Sequence, residues 1–392
     1  GEHLNPTKDG TDSVASLENV KLYGDIDHII VGDNKDNIII TDGGNDVISG
    51  GAGNDTLDFT NSDTNETNGK TLTLTFGGAT NFENIVGAGV PETLQGDSNN
   101  NILIGDGDNS TISSTPIGTD TIYGYGGNDL LVAGSGSKND LSKESRIETQ
   151  STFISYINDS DNVGNDDLYG GSGDDVLLGS AGDNILDGGT GTDIIYSGDG
   201  SDTFVIRSGD GSSDLNTIDV IKDFSDSNDT FGLDLVNFDD LTIAQGSGNY
   251  SNHTLISITS TGEYLFSIEN RSASDITMTD FASLSTIDQT FSGTDENNTF
   301  IGGAGNDTFN VDSGTDTITD LTSGDILNVS SGATANITNV TSFTATASSS
   351  NSGTVTISTD NSSGGTVDMT SASGNYTLSG QGSIDTLTGG GG

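Results

Sequence analysis

Four consecutive nonapeptides decide how this chain folds: GGSGDDVLL, GSAGDNILD, GGTGTDIIY and SGDGSDTFV, at residues 170–178, 179–187, 188–196 and 197–205. The sixth position of each is acidic or an amide, so that a nine-residue period runs from Asp166 through Asp175, Asn184 and Asp193 to Asp202. Two residues after each of these comes an apolar residue: Leu168, Leu177, Leu186, Ile195 and Phe204. Five consecutive matches at one period indicate a repeat architecture.

The same spacing returns elsewhere in the chain. There is one array near the amino terminus, then a degenerate array and then a pair of repeats. A further array and a single aspartate lie towards the carboxyl end. In chain order the members are His28, Asn37, Asp46, Asp55, Glu83, Glu92, Asn101, Asp120, Asp129, Asn298, Asp307, Asp316 and Asp385.

Each residue type in the repeat has a conformational role. Paired glycines reach the left-handed region, so the first six residues can form a tight turn. The last three form a short strand whose central apolar side chain points inward. Two nonapeptides then make one coil of 18 residues, and stacked coils pair strand on strand in parallel. The predicted fold is therefore all-β, a parallel β-roll (β-solenoid).

The turns are candidate calcium sites. Loops two repeats apart stack on one edge, where carbonyl and carboxylate oxygens converge, and six to eight hard oxygen ligands favour calcium. The best stacked pairs are Asp175 with Asp193 and Asn184 with Asp202; Asp46 would stack on His28, a poor calcium ligand. Several calcium ions are predicted, with these candidate metal ligands: Asp46, Asp55, Asp120, Asp129, Asp166, Asp175, Asn184, Asp193, Asp202, Asp307, Asp316 and Asp385.

The repeats resemble a known family. GGAGNDTLD (residues 50–58), GGSGDDVLL and GGTGTDIIY match GGxGxDxUx, the pattern of the RTX calcium-binding repeats. The resemblance implies a parallel β-roll, type I secretion and folding outside the cell, where calcium is millimolar. It covers roughly a third of the chain by this motif and points to surface-layer, extracellular-matrix or adhesin members.

The remaining segments change character. TIDVIKDF (residues 217–224) resembles the segment that closes RTX blocks, and three alternating stretches after it predict antiparallel strands. The Ser/Thr-rich stretch predicts either a small β-sandwich or a less regular solenoid. The predicted boundaries are an extension at 1–21, an interrupted β-roll at 22–136, an insertion at 137–164, a regular roll at 165–204, a β-rich cap at 205–281, a second RTX block at 282–319, a Ser/Thr-rich β region at 320–380 and the start of a further repeat at 381–392.

Composition excludes several functions. The net charge of -49, with 59 acidic and 10 basic residues, excludes nucleic acid as a partner and favours cations. No membrane span, amino-terminal signal peptide or disulfide is expected. The three histidines, His3, His28 and His253, lie in no HExxH context, and no G-x-S-x-G motif occurs, so we expect no enzymatic activity.

These observations predict a non-catalytic, extracellular structural protein of the bacterial cell surface. Calcium would fold the roll, and self-association into a lattice or filament would follow. An alternative is a non-catalytic secretion and folding module of a larger RTX protease, lipase or toxin. A third is an adhesin that binds a surface glycan through the cap. The insertion at 137–164, with Lys138, Lys143 and Arg146, is a candidate contact for an acidic neighbouring subunit or a surface glycan.

Overall fold

The computed structural model describes residues 2–3, 13–15, 19–22, 29–41, 47–60, 70–75, 79–88, 90–105, 119–134, 164–360, 363–382 and 384–390. His28, Asp46, Lys138, Lys143 and Arg146 lie outside these residues. None of the described helices is long and apolar enough to cross a membrane.

The described residues contain 36 short strands. In chain order they are β1 Glu2–His3, β2 Ser13–Ala15, β3 Asn19–Lys21, β4 Ile29–Val31, β5 Ile38–Ile40, β6 Val47–Ser49, β7 Thr56–Asp58, β8 Thr71–Thr73, β9 Asn84–Val86, β10 Thr93–Gln95, β11 Ile102–Ile104, β12 Thr121–Gly126, β13 Leu130–Val132, β14 Asp167–Ser172, β15 Val176–Leu178, β16 Ile185–Thr190, β17 Ile194–Tyr196, β18 Thr203–Arg207, β19 Asp219–Ile221, β20 Thr230–Asp234, β21 Leu241–Gln245, β22 Thr254–Ile258, β23 Tyr264–Ile268, β24 Phe281–Ser283, β25 Thr290–Ser292, β26 Thr299–Phe300, β27 Thr308–Val311, β28 Thr315–Ile318, β29 Ile326–Val329, β30 Thr334–Val340, β31 Ser342–Thr344, β32 Ser350–Asn351, β33 Thr354–Thr359, β34 Thr366–Asp368, β35 Thr377–Ser379 and β36 Thr386–Thr388. Single 3₁₀ turns span Leu215–Thr217, Phe238–Asp240, Gly248–Tyr250 and Met278–Asp280.

Two long sheets form the first roll. Sheet 1 has 13 strands in the order β1-β3-β5-β7-β9-β11-β13-β15-β17-β19-β23-β22-β21, and sheet 2 has eight in the order β24-β20-β18-β16-β14-β12-β10-β8. A small sheet 3 (β2-β4-β6) belongs to the amino-terminal coils. In the regular repeats successive coils are 18 residues apart and parallel, as in the pairing of Val176 with Ile194 and of Ile185 with Thr203. The predicted parallel β-roll is confirmed.

The core of this roll consists of apolar side chains from the inner faces of sheets 1 and 2. In the three-residue strands of the regular repeats the central residue points inward, as Leu177 and Ile195 do with no exposed surface. The resulting cluster runs from Val20 to Ile301. A strand of three residues can bury only one side chain on the inner face, because successive side chains alternate. The core is therefore thin, which explains the low apolar content of the sequence.

The segment after the regular repeats closes the first roll. β19, β20 and β24 continue its sheets in parallel. β21, β22 and β23 then form an antiparallel meander at the end of sheet 1. Phe224, Phe231, Phe266 and Phe281 pack in the core beneath it. The predicted antiparallel strands are present and cover the last parallel coil.

The Ser/Thr-rich stretch continues as a parallel solenoid. Sheets 4 (β25-β27-β29-β32), 5 (β26-β28-β30-β33-β35) and 6 (β31-β34-β36) enclose a second apolar cluster that includes Phe309, Ile337 and Val367. All of their described strand pairs are parallel. Of the two alternatives that the sequence left open, the structure has the solenoid and not the sandwich.

Candidate calcium-binding turns

The residues in the sixth position of the repeats form columns along the edges of the rolls. Column 1 precedes the strands of sheet 1, and column 2 precedes those of sheet 2. Column 3 is the name for the corresponding residues of the second roll, which alternate between the strands of sheets 4 and 5. Column 1 contains Asn37, Asp55, Glu83, Asn101, Asp129, Asp175, Asp193 and Asp219; column 2 contains Glu92, Asp120, Asp166, Asn184, Asp202 and Asp229; column 3 contains Asn298, Asp307, Asp316 and Asp325.

One oxygen of each column aspartate is held by the preceding coil. Oδ1 of Asp193 accepts a hydrogen bond from the backbone N–H of Asp175 at 2.7 Å, and Oδ1 of Asp202 accepts one from Asn184 at 2.8 Å. Three further pairs stack in the same way: Asp166 with Asn184, Asn298 with Asp316 and Asn37 with Asp55. Asp120 and Asp129 accept from the backbone N–H groups of Glu92 and Asn101. These aspartates therefore contact the main chain of the neighbouring coil.

The second oxygen is buried without a hydrogen-bond partner. This holds for Oδ2 of Asp55, Asp166, Asp175, Asp193, Asp202, Asp307 and Asp316 among the described residues. Oδ2 lies above the first glycine of its own repeat: a Cβ on Gly170 would lie 2.5 Å from Oδ2 of Asp175. A buried carboxylate oxygen with no donor is strongly unfavourable. Each such turn thus holds a negative charge that requires a cation or a proton.

Burial raises the affinity of these carboxylates for protons. Desolvation raises the pKa of Asp166 and of Asp202 to about 7, and that of Asp55 and of Asp175 to about 6. The backbone hydrogen bond to Oδ1 opposes the shift in each case but is the smaller effect. A divalent cation in the turn would take the place of those protons.

A second set of side chains, in the fifth position of the repeat, accepts hydrogen bonds from the following coil and not from the preceding one. Oδ1 of Asp174, in the fifth position, accepts from the backbone N–H of Thr192 on the following coil at 3.0 Å. Asp183 accepts from Ser201 in the same way at 2.9 Å. Adjacent positions therefore bond to opposite neighbours, and in the regular repeats a coil is fixed to the one before and the one after it.

The donor set fits calcium. All candidate side-chain donors are oxygens, and the glycine-rich loops place carbonyls against the next coil, with Gly171 O beside Gly189 and Gly173 O beside Gly191. Within the described ranges no three acidic or histidine side chains come together in one group. Backbone carbonyls must therefore supply most of the six to eight ligands that calcium requires, with one carboxylate oxygen from each turn.

Three column members had not been predicted as repeat positions. Asp219, Asp229 and Asp325 accept from the backbone N–H groups of Asp193, Asp202 and Asp307. The glycine pair of the repeat does not precede them, so the GGxGxD pattern could not identify them. An aspartate two residues before a buried Ile221, Phe231 or Leu327 was the available signal.

The last predicted site lies at the carboxyl end. Oδ1 of the half-buried Asp385 accepts from the backbone N–H of Gly365 at 2.8 Å. Asp385 thus bonds one coil back, like the other column residues, although its coil contains 20 residues and not 18.

Both blocks of repeats close with the same arrangement. Asp219-Val-Ile-Lys-Asp223 and Asp316-Thr-Ile-Thr-Asp320 share the spacing D-x-I-x-D. The carboxylate of Asp223 accepts from the backbone N–H groups of Ser197 and Gly198, and Oδ2 of Asp320 accepts from that of Gly303. The second aspartate therefore binds the opening of the last glycine turn.

Parallel nonapeptide coils, with a column of buried aspartates in glycine-rich turns, define a β-roll of the calcium-binding kind. Residues 24–59, 87–113, 117–137, 161–177, 169–204 and 286–318 match the family described as RTX calcium-binding nonapeptide repeat (4 copies). The chain carries RTX calcium-binding repeats, which confirms the resemblance seen in the sequence. The matched ranges cover less than half of its length.

The other comparisons add little. No curated protein matches the chain. The solved structures that match include the solution structure of the AlgE6R3 subunit from the Azotobacter vinelandii mannuronan C5-epimerase, at 19% sequence identity, with 49% of this chain and 77% of that chain covered and a TM-score of 0.19. That TM-score is too low to support an inference about function.

Proposed function

We propose that this chain is a non-catalytic structural protein of the bacterial cell surface, of the surface-layer, sheath, filament or adhesin type. Its β-roll would fold outside the cell on binding several calcium ions, after type I secretion, and would then self-associate into a lattice or filament. The observation that carries the proposal is the row of buried Oδ2 atoms without donors in successive turns.

Calcium would act here as a folding ligand. Without it, stacked turns bring buried negative charges together in a chain whose net charge is already -49, and this opposes compaction. With it, each ion would join the carboxylates of adjacent coils, such as Asp175 and Asp193, to loop carbonyls. Binding and folding then share one equilibrium, because the site does not exist in the unfolded chain.

Two features favour a structural role. The coils and the cap occupy the whole range from 164 to 360, and their polar residues serve the backbone of neighbouring coils. The described histidine outside the amino-terminal strand, His253, hydrogen-bonds Ser267 within the cap. These side chains are committed to holding coils together, as expected of a scaffold.

The test combines circular dichroism with electron microscopy of the full chain. We expect β structure to form on adding calcium but not magnesium at equal ionic strength, and ordered assemblies to appear in the calcium form. The double variant Asp175→Asn/Asp193→Asn should raise the calcium concentration required for β-structure formation and for assembly. The matched control Asp199→Asn/Asp226→Asn removes two exposed carboxylates and should leave it unchanged.

Two results would contradict the proposal. If the chain formed its full β structure at neutral pH in the presence of a chelator, calcium would not be its folding ligand. A strictly monomeric calcium form at high concentration would contradict the lattice or filament and favour a secretion and folding module of a larger RTX protease, lipase or toxin.

A further inference from the structure

One residue departs from the turn pattern at a conformational cost. Tyr125 takes the second position of the repeat GYGGNDLLV (residues 124–132) with φ 72°. Gly51, Gly171 and Gly189 fill this left-handed position in other repeats, and a side chain there costs roughly 1–2 kcal/mol. Ser180 is a second exception, but it is fully buried, whereas Tyr125 is 52% exposed. Strain at an exposed aromatic residue suggests a functional role.

The strained tyrosine belongs to an aromatic stack on the outer face of sheet 2. Its ring lies 5.8 Å from that of Tyr123, with 19° between the planes. Tyr123 stacks in turn on Tyr169, its register partner on β14, at 5.0 Å and 11°. The three rings are thus nearly parallel, and Tyr125 at the end of the stack is the most exposed. Tyrosines held in this way offer large contact area at low entropic cost.

Polar groups able to bind hydroxyls surround the stack. Gln95 is the register partner of Tyr123 on one side, and Asp187 is that of Tyr169 on the other. Asp167 lies two residues before Tyr169, on the same outer face. Within the described structure the side chains of Gln95 and Asp167 make no hydrogen bond to protein, so both are available to a ligand.

The charges around the tyrosine stack determine which class of ligand can bind there. Asp167 and Asp187 are the acidic groups near it, and the nearby cation, Arg207, is held by Asp187, Asp210 and Asp234 at 2.8–3.0 Å. Phosphates and uronates would meet repulsion here, and the basic groove that single-stranded nucleic acids require is lacking in these described residues. Aromatic rings with hydrogen-bonding groups suit an uncharged, hydroxyl-rich chain.

We propose that Tyr125, Tyr123 and Tyr169 form a contact surface for a neutral polysaccharide, separate from the calcium turns. Tyr125→Gly should restore the common turn residue, so the variant should fold at least as stably as the parent while losing the exposed ring. Leu235→Gly is the matched control, because Leu235 is also a non-glycine with positive φ (58°) and is 63% exposed, but it lies in the cap.

The experiment is affinity electrophoresis of the full chain, folded in calcium, through native gels that contain calcium and laminarin, dextran or galactomannan. Alginate serves as the anionic comparison. We expect retardation by at least one neutral glycan, weakened about threefold to tenfold in Tyr125→Gly and unchanged in Leu235→Gly. Circular dichroism and thermal unfolding establish first that all three proteins are folded.

Three results would overturn the proposal: no retardation by any neutral glycan, retardation by alginate alone, or a Tyr125→Gly variant that binds like the parent. Sedimentation of the same samples tests whether the tyrosine stack forms a contact between copies of the chain. Self-association that depends on Tyr125, without glycan binding, would assign the stack to that contact instead.

Discussion

An aspartate in the sixth position of the repeat uses its two oxygens differently. Oδ1 of Asp193 accepts a backbone hydrogen bond from Asp175, and Oδ2 is buried with no donor. The first role needs only a hydrogen-bond acceptor, and Asn184 fills it by accepting from the backbone N–H of Asp166. The second role needs a negative charge beside a cation. An asparagine therefore preserves the stack and weakens the proposed metal site.

We predict that Asp193→Asn separates these roles. The calcium-free form at neutral pH should become more stable, because a buried charge is removed, while the calcium midpoint for folding should rise about tenfold or more for a lost charged ligand. Calcium titrations followed by circular dichroism measure both effects. Asp199→Asn, an exposed change in the turn of the next repeat, is the control, and equal midpoints for the two variants would contradict the assignment of Asp193.

Two glycines with positive φ distinguish the free-energy cost of a strained backbone from the additional cost of a steric clash. Gly191 has φ 150°, and a Cβ there would overlap Gly173 O on the preceding coil, whereas Gly262 has φ 73° with open space around it. We predict that Gly262→Ala costs about 1–2 kcal/mol and that Gly191→Ala costs more than that, because the coils must separate. Chemical denaturation in saturating calcium measures both. Equal losses would show that coil contact at Gly191 is unimportant.

At the scale of elements, column 2 of the first roll and the sheet 4 half of column 3 each end with an aspartate whose two oxygens are both bonded within the protein. Asp325 accepts from the backbone of Asp307 through Oδ1 and from Thr322 through Oδ2. Asp229 accepts from Asp202 and Ser225 in the same way. Such residues terminate the column without the unpaired oxygen that marks the turns before them.

We predict that Asp325→Ala lowers the free energy of unfolding by roughly 1–3 kcal/mol, the range for leaving buried donors unsatisfied. The number of calcium ions bound should not change. Denaturation and isothermal titration calorimetry measure the two quantities. Asp307→Asn is the comparison, since we expect it to lose bound calcium, and loss of an ion in Asp325→Ala as well would make Asp325 a ligand.

The sequence revealed strands and turns where glycine, aspartate and an apolar residue recur together. Leu177 and Ile195, predicted to point inward, are fully buried. Asp219 was missed because the 3₁₀ turn Leu215–Thr217 lengthens its coil to 26 residues, and Asp325 because its turn lacks the glycine pair although it lies 18 residues after Asp307. Hydrogen-bond direction was also invisible, since spacing alone cannot show that the carboxylates bind the neighbouring backbone.

At the scale of the whole molecule, the buried carboxylates couple folding to both pH and calcium. In the unfolded chain an aspartate has a pKa near 3.9, while burial raises the pKa of Asp166 and of Asp202 to about 7 in the folded chain. Between about pH 4 and pH 7 the calcium-free folded state therefore binds more protons than the unfolded state. Its stability must fall as pH rises through that range.

Calcium reverses this dependence, because it requires the ionised carboxylates and displaces their protons. We predict that the calcium-free chain is β-rich near pH 4 and loses this structure as pH approaches 7, whereas in millimolar calcium the structure persists at pH 7 and above. Circular dichroism across pH, with chelator or calcium, measures both curves. Asp166→Asn/Asp202→Asn should flatten the calcium-free curve, and a calcium-free chain that gained stability on going from pH 4 to pH 7 would show that the buried Oδ2 atoms do not control folding.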